Sequence, residues 1–368
     1  MRIVILIFFF ISINLSQSSN KLNIIELKRL VNSKTESYNE FLLGHIVNVA
    51  FDKYGKIYLA DVMDNCIKVY DKKFRFVKKI GRRGRGPGEF LEIKKIYIRK
   101  DGSLIAYDRG CFKICFFDKN LRFIKEQRFN VNLFDPIYFK EFDDCIIVLM
   151  SKYWSKNTFY VYDKNLEEKT NEFGGVLKQE TGNKYLDEHL YLPINSLWNI
   201  FVLKGENEII FSPEFYKGHL FKFTKKTNES WCSYTSNKFS LIKGVKLFNT
   251  RVYEINKQLY SHYLFTQNQR IYYWYNNISR GLYILNNNKI VHFIEIVKGN
   301  KVLFGAELYD ENEKFIDFFI YDEIKKEDWD YNWYPVPLHV DKENNFYFLL
   351  RKGAPNIIKA KLVFGEEQ

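Results

Sequence analysis

At 368 residues the chain could hold two average domains, but closed all-β folds commonly reach this length as one unit. Hydrophobic residues make up 46%, with 34 Phe and 26 Tyr, which is ample for a large core of side chains suited to pleated surfaces. The formal charge is +12, yet Lys is scattered without long blocks, which argues against nucleic acid as a partner and leaves an anionic ligand open.

The chain begins as an export signal. Arg2 precedes the apolar run Ile3–Ile13, and the small polar stretch Ser16-Gln17-Ser18 follows. Roughly a dozen apolar residues fit a signal segment and fall short of a membrane span, so residues 1–18 are expected to be cleaved. The alternative is an uncleaved anchor. No Cys follows the run to carry a lipid, and no later segment is apolar for long enough to cross a bilayer. The mature chain is therefore expected to be a monomer, periplasmic or secreted, with no membrane span.

Leu22–Val31 is a strand-like run with no neighbour to pair with. Beyond it, residues 50–80 and 97–127 repeat one pattern. Gly55 matches Gly102, Ile57 matches Leu104, Asp61 matches Asp108, Asp71 matches Asp118 and Phe76 matches Phe123, each pair 47 residues apart. A fixed period in the forties, carried by short β-type runs and turn residues, marks a propeller built of four-stranded blades. Blade 1 is predicted over about 46–80 and blade 2 over about 93–129. Later blades keep the alternation and lose the matching residues: blade 3 over about 136–173, blade 4 over about 197–234, blade 5 over about 259–297 and blade 6 over about 334–364. In blade 5 the predicted strands are Leu259–Thr266, Ile271–Tyr275, Leu282–Asn286 and Lys289–Val297. Insertions are expected at 174–196, 235–257 and 300–333, the last with structure of its own. Blade 6 ends one strand short, so residues 22–31 are expected to supply its outer strand and close the ring, which removes exposed edges. The fold class is thus an all-β six-bladed propeller forming a single domain over 19–368.

Five cysteines leave at least one thiol free or paired between chains. Cys111 and Cys115, placed on one strand, would stand about 13 Å apart, too far for a disulfide. The cysteines are read as mostly structural.

The stretch Ala60–Asp118 resembles the NHL-repeat propellers. Their aspartate, Phe-Asp-ending strand and Gly-Pro-Gly segment correspond to Asp61, Ile67-Lys68-Val69-Tyr70-Asp71 and Gly81–Phe90, which contains Gly86-Pro87-Gly88. More closely, it is similar to secreted bacterial six-bladed β-propeller proteins of mostly unassigned role. The usual Pro-x-Gly ahead of the next inner strand is replaced by Glu92-Ile93-Lys94-Lys95. The match is close over about 60 residues, and it carries no catalytic residue across.

Four features bear on function. The Gly-rich segment could cradle a phosphate, but no helix and no Lys-Ser/Thr follows it, so glycines that ease the crossing between blades explain it better. Loops on one face of the meander carry cations: Arg109, Lys152 with Lys156, Lys217, Arg280, and Arg351 with Lys352, while Arg82, Arg83 and Arg85 lie in the blade 1–2 connection. Such a ring would concentrate an anionic ligand. His45, His262 and His339 fall on or at the mouth of inner strands, where converging imidazoles could hold Zn, or Ca could bind; buried structural histidines are the plainer reading. Resemblance to NHL-type enzymes, some of them metal-dependent lyases, supports the metal reading. Trp154, Trp329 and Trp333 could stack a sugar.

The leading expectation is a non-catalytic binding or scaffold module without cofactor, its ligand an acidic glycan, a peptide or another small anion. The alternatives are a metal-dependent hydrolase or lyase, and a structural subunit bound to a cell-envelope protein through Glu307–Trp333.

Overall fold

The computed structural model describes residues 20–30, 43–128, 136–142, 145–150, 157–175, 200–213, 216, 218–245, 253–254, 263–266, 269–274, 277–298, 300–325, 335–350 and 356–365. Over these the regular structure is all strand, apart from one 3-10 turn at Trp231–Ser233.

The strands assemble as six antiparallel blades. Blade 1 is β2 (Ile46–Phe51), β3 (Ile57–Asp61), β4 (Cys66–Tyr70) and β5 (Phe76–Ile80). Blade 2 is β6 (Ile93–Ile98), β7 (Leu104–Asp108), β8 (Lys113–Phe117) and β9 (Phe123–Arg128). Blade 3 holds β10 (Pro136–Glu141), β11 (Cys145–Met150), β12 (Phe159–Asp163) and β13 (Lys169–Phe173). Blade 4 holds β14 (Phe201–Lys204), β15 (Glu208–Phe211), β16 (His219–Thr224) and β17 (Ser240–Lys243). A separate three-stranded sheet follows, made of β18 (Tyr253–Glu254), β19 (Tyr263–Thr266) and β20 (Gln269–Trp274). Blade 5 is β21 (Asn277–Ile284), β22 (Ile290–Lys298), β23 (Lys301–Tyr309) and β24 (Phe315–Lys325). Blade 6 is β25 (Val336–Val340), β26 (Phe346–Leu350), β27 (Asn356–Phe364) and, as its outer strand, β1 (Asn20–Leu30).

Ring closure is as the sequence predicts. β1 runs antiparallel to β27 from Leu22 opposite Phe364 to Leu30 opposite Ile357, with a bulge between Glu26 and Lys28. The first residues of β1 also pair in parallel with β24, Asn20 opposite Phe319 and Lys21 opposite Ile320. That bridge joins blades 5 and 6 into one eight-stranded sheet.

Packing lies between blades. Every residue of β3, β4, β7 and β8 is buried, because these middle strands are covered on both faces. Successive side chains serve opposite seams: Leu104 and Ala106 pack with Ala60 and Val69 of blade 1, while Ile105 and Tyr107 pack with Phe139 and Val148 of blade 3. The outer strand β9 is mostly exposed. Each fully buried apolar side chain in these seams is worth about 1.5–3 kcal/mol.

The repeated aspartates form hairpins by one rule. In Asp52, Asp71, Asp118, Asp163, Asp310 and Asp341 the carboxylate accepts backbone N–H groups two and four residues on. The residue three positions on then takes positive φ, as at Gly55, Phe74 and Leu121. Asp supplies this local bond readily, which is why the turns show in the sequence.

Three predicted boundaries need correction. Blade 5 is not built from 259–297: residues 263–266 and 269–274 belong to the separate sheet, and the blade runs from 277 to 325. Residues 301–325, expected as an insertion, are its third and fourth strands. Its strands are 8 to 11 residues long against 4 to 6 in blades 1 to 4, so the 47-residue metre does not reach it. Blade 4's outer strand lies at 240–243, inside the segment predicted as an insertion, and the 3-10 turn occupies 231–233. Cys111 lies in the turn before β8 rather than on the strand. Most of the predicted 174–196 insertion lies outside the described residues.

Cys145 on β11 is disulfide-bonded to Cys232 in the 3-10 turn, tying blade 3 to blade 4 across 87 residues. Cys66, Cys111 and Cys115 are free thiols.

Candidate functional site

In blades 1 and 2 the loops on one face are organised by an aspartate that ends the second strand. Asp61 accepts from the Gly44, His45 and Met63 amides at 2.7, 3.0 and 3.1 Å. Asp108, 47 positions on, accepts from the Leu91, Glu92 and Gly110 amides at 3.0, 2.8 and 3.1 Å. Each carboxylate therefore fastens the incoming segment to its own blade's turn. The two blades differ in the cation beside it. Lys68 is fully buried between Asp61 (2.8 Å) and Asp64 (2.5 Å). In blade 2 its counterpart is Cys115, and Lys113 reaches outward to Glu126 (2.7 Å) and the Gly86 carbonyl (3.0 Å).

Beside Lys113 lies a cleft of 570 Å³ on blade 2, walled by Arg85, Cys111, Phe112, Lys113, Glu126 and Arg128. Arg85 is delivered by the Gly-rich crossing. Within it Glu89 accepts from the Gly86 amide at 2.8 Å and from Arg82 Nε at 2.7 Å. A Cβ at Gly84 would lie 2.0 Å from the Glu89 carboxylate and would push it from this place. The loop's own carboxylate thus takes the Gly86 amide and Arg82, groups that a phosphate cradle would have to offer, which argues against that reading. Arg82 and the Gly86 amide hold the Glu89 carboxyl below the usual range. Burial is the largest influence on Lys113 and opposes its charge, but the bond to Glu126 together with the charges around it holds the ammonium above its ordinary value. Burial, with Asp108 nearby, pushes the Cys111 thiol up. Burial pushes Cys66 and Cys115 up to about 12, so these thiols are inert at neutral pH.

The predicted cation ring is only partly on view. Arg109 sits on the expected face, half exposed, 3.7 Å from Glu92. Arg280 does not: it lies on inner strand β21, buried, with its Nε 2.5 Å from Glu295 on β22. Its expected loop position came from the misplaced blade 5 boundaries. Lys152, Lys156, Lys217, Arg351 and Lys352 lie outside the described residues.

The two predicted histidines among the described residues, His45 and His339, do not converge. His45 is exposed at the entry to β2, whereas His339 stacks on Phe51 at that strand's far end, ring centroids 4.2 Å apart. Six residues of strand separate these levels, roughly 20 Å, too far for one ion. Burial pushes His339 down to about 4, against Asp341 and with Lys140. His262, Trp154, Trp329 and Trp333 lie outside the described residues. Among the described residues no group of three or more His, Cys, Asp or Glu side chains is placed to hold a metal.

A second polar cluster escaped the sequence. At the seam of blades 4 and 5, His292 Nδ1 meets Glu307 at 2.8 Å. His292 Nε2 lies 2.8 Å from Ser279 Oγ and 3.0 Å from Ser212 Oγ. The carboxylate can only accept, so Nδ1 carries a proton and donates it to Glu307. Glu307 also accepts from Tyr216 (2.8 Å), Tyr309 (2.7 Å) and the Val245 amide (2.6 Å). The connectivity is that of a Ser–His–acid relay. Yet Ser212, Ser279, His292 and Glu307 are all fully buried, and the carboxylate is saturated by donors from both blades. The cluster is a clamp: Ser212, Tyr216 and Val245 come from blade 4, the rest from blade 5. His292 and Glu307 face each other across β22 and β23, a pairing legible only once 301–309 is known to be a blade strand.

No curated protein matches the sequence significantly. Two crystal structures share the fold. One is a protein described as exported, from Bacteroides fragilis NCTC 9343, at TM-score 0.52 and 11% identity, covering 95% of this chain and 96% of that one. The other is a member of the DUF4221 family from Bacteroides vulgatus ATCC 8482, at TM-score 0.53 and 11% identity, covering 95% and 100%. At such identity the likeness is one of fold alone. The blade pattern itself is specific: with residues 13–316 matching its profile, the chain belongs to the DUF5128 family, described as a 6-bladed beta-propeller.

Proposed function

We propose that this protein is an exported, non-catalytic binding propeller that takes an anionic ligand in the cleft on blade 2. One observation carries the reading. The cleft sets Arg85, Lys113 and Arg128 against a single carboxylate, Glu126, leaving two positive charges in excess. Glu126 is committed to Lys113, and among the described residues no carboxylate pairs with Arg85 or Arg128. Guanidinium forks of this kind grip carboxylates or sulfates with two parallel hydrogen bonds. Export, to the periplasm or beyond, is supported by the apolar N-terminal run, the likeness to a protein described as exported, and a disulfide suited to an oxidising compartment.

Calorimetric titration of the mature chain tests the proposal. An acidic oligosaccharide should bind, a neutral one of equal length should not, and affinity should fall as salt rises. Replacing Arg85 and Arg128 together with Gln should weaken binding at least about tenfold. Equal, salt-independent binding of acidic and neutral ligands, or an unaffected double variant, would overturn it.

A further inference from the structure

Phe112 holds a backbone conformation that its counterpart explains and its own side chain does not. Residue 65 occupies the same place in blade 1, 47 positions earlier, and both have positive φ, 48° at Asn65 and 50° at Phe112. Asn tolerates this left-handed region, and Asn65 is buried there with its side-chain oxygen toward the Ile93 amide. A bulky aromatic at positive φ is strained. At the other bulky described residues with positive φ the same strain is offset. Phe74 and Leu166 are buried, Leu121 packs against the blade 1–2 core, and Glu313 is bonded to Lys204 and Lys222. Phe112 has no such return, for it is 56% exposed on the wall of the cleft beside Arg85 and Arg128. Strain without local compensation points to a ligand that supplies it.

We infer that the anion bound by this cleft is an acidic saccharide, whose pyranose face stacks on Phe112 while its carboxylate or sulfate is held by Arg85 and Arg128. The inference rests on the anionic-ligand reading above and narrows it. Among the described lining residues Phe112 is the only aromatic, so one ring face is offered and there is no second wall to sandwich a planar base. Two excess positive charges suit one or two acidic groups carried close to a ring, rather than an extended polyanion.

The experiment pairs Phe112→Asn, the residue blade 1 uses, with the double variant Arg85→Gln/Arg128→Gln. Trigalacturonate and hexaglutamate serve as the ring-bearing and ring-free anions. The Asn variant should melt at or above the wild-type temperature, because it relieves the backbone. It should bind trigalacturonate about tenfold more weakly while hexaglutamate binding stays as it was. The double variant should lose both. If Phe112→Asn leaves trigalacturonate affinity unchanged while the double variant abolishes it, the stacking inference falls and the anion site stands. Preference for hexaglutamate would likewise overturn the saccharide assignment, and failure of both probes to bind wild type would overturn both readings.

Discussion

The cleft on blade 2 and the clamp between blades 4 and 5 both gather ionisable side chains, and they handle them oppositely. In the clamp a buried carboxylate, Glu307, is met by four donors, and the imidazole beside it has a partner at each nitrogen. In the cleft three cations face one carboxylate, and the surplus opens to solvent. Complete internal satisfaction marks a structural device even where the connectivity imitates catalysis. Surplus charge beside an exposed ring is the feature on which the proposed anion site rests.

The sharpest way to break the contrast is Glu307→Ala. It would leave Tyr216, Tyr309, the Val245 amide and His292 Nδ1 without their acceptor, and should cost about 3–5 kcal/mol in urea unfolding. Ligand binding by the molecules that remain folded should persist. A loss below about 1 kcal/mol would mean the cluster is not a clamp.

A covalent counterpart lies one seam away. Replacing Cys145 and Cys232 together with Ser should cost about 2–4 kcal/mol through the freed 87-residue loop. Thermal melts with and without reductant would show the same fall in wild type and none in the variant.

His339 is the clamp's counterexample: an imidazole packed on Phe51 and, among the described residues, without a carboxylate bonded to it in the manner of Glu307. Its folded pKa of about 4 lies below the ordinary 6.5, so between these values the unfolded chain binds a proton that the folded chain refuses. Stability should be full above pH 6.5 and fall toward pH 4, by about 1–3 kcal/mol after allowance for partial exposure. His339→Phe should flatten that part of the profile, whereas an unchanged slope would assign it to other groups.

The smallest effect on stability belongs to the cleft. Arg85→Gln/Arg128→Gln should shift unfolding by no more than about 0.5 kcal/mol, since exposed charges contribute little to folding. A larger loss would move these arginines into the structural class with Glu307.

Much of this architecture can be read locally. Asp71 and Asp118 announce their hairpins because the bonds they make reach only two and four residues ahead. Asp61 and Asp108 stand out for a related reason, each serving its own turn and the segment entering its blade. The cations of the blade 1–2 connection were legible as residues, but the cleft they help form was not. It brings together Lys113, bonded to Glu126 on a neighbouring strand, and Phe112, standing where blade 1 has Asn.

By itself the sequence determined that the chain is a propeller of six blades, where the first two lie, and that residues 22–31 close the ring. Turn chemistry, alternation and a missing strand are properties of short segments, so they survive in one dimension. Only the tertiary structure decided which strands make blade 5, that Cys145 bonds Cys232, that Arg280 is buried, and that His45 and His339 stand at opposite ends of the inner strands. Each of these depends on which distant segments pair, and pairing is set by packing summed over whole seams. An alternating run of apolar residues shows that a strand will form and is silent about its neighbour.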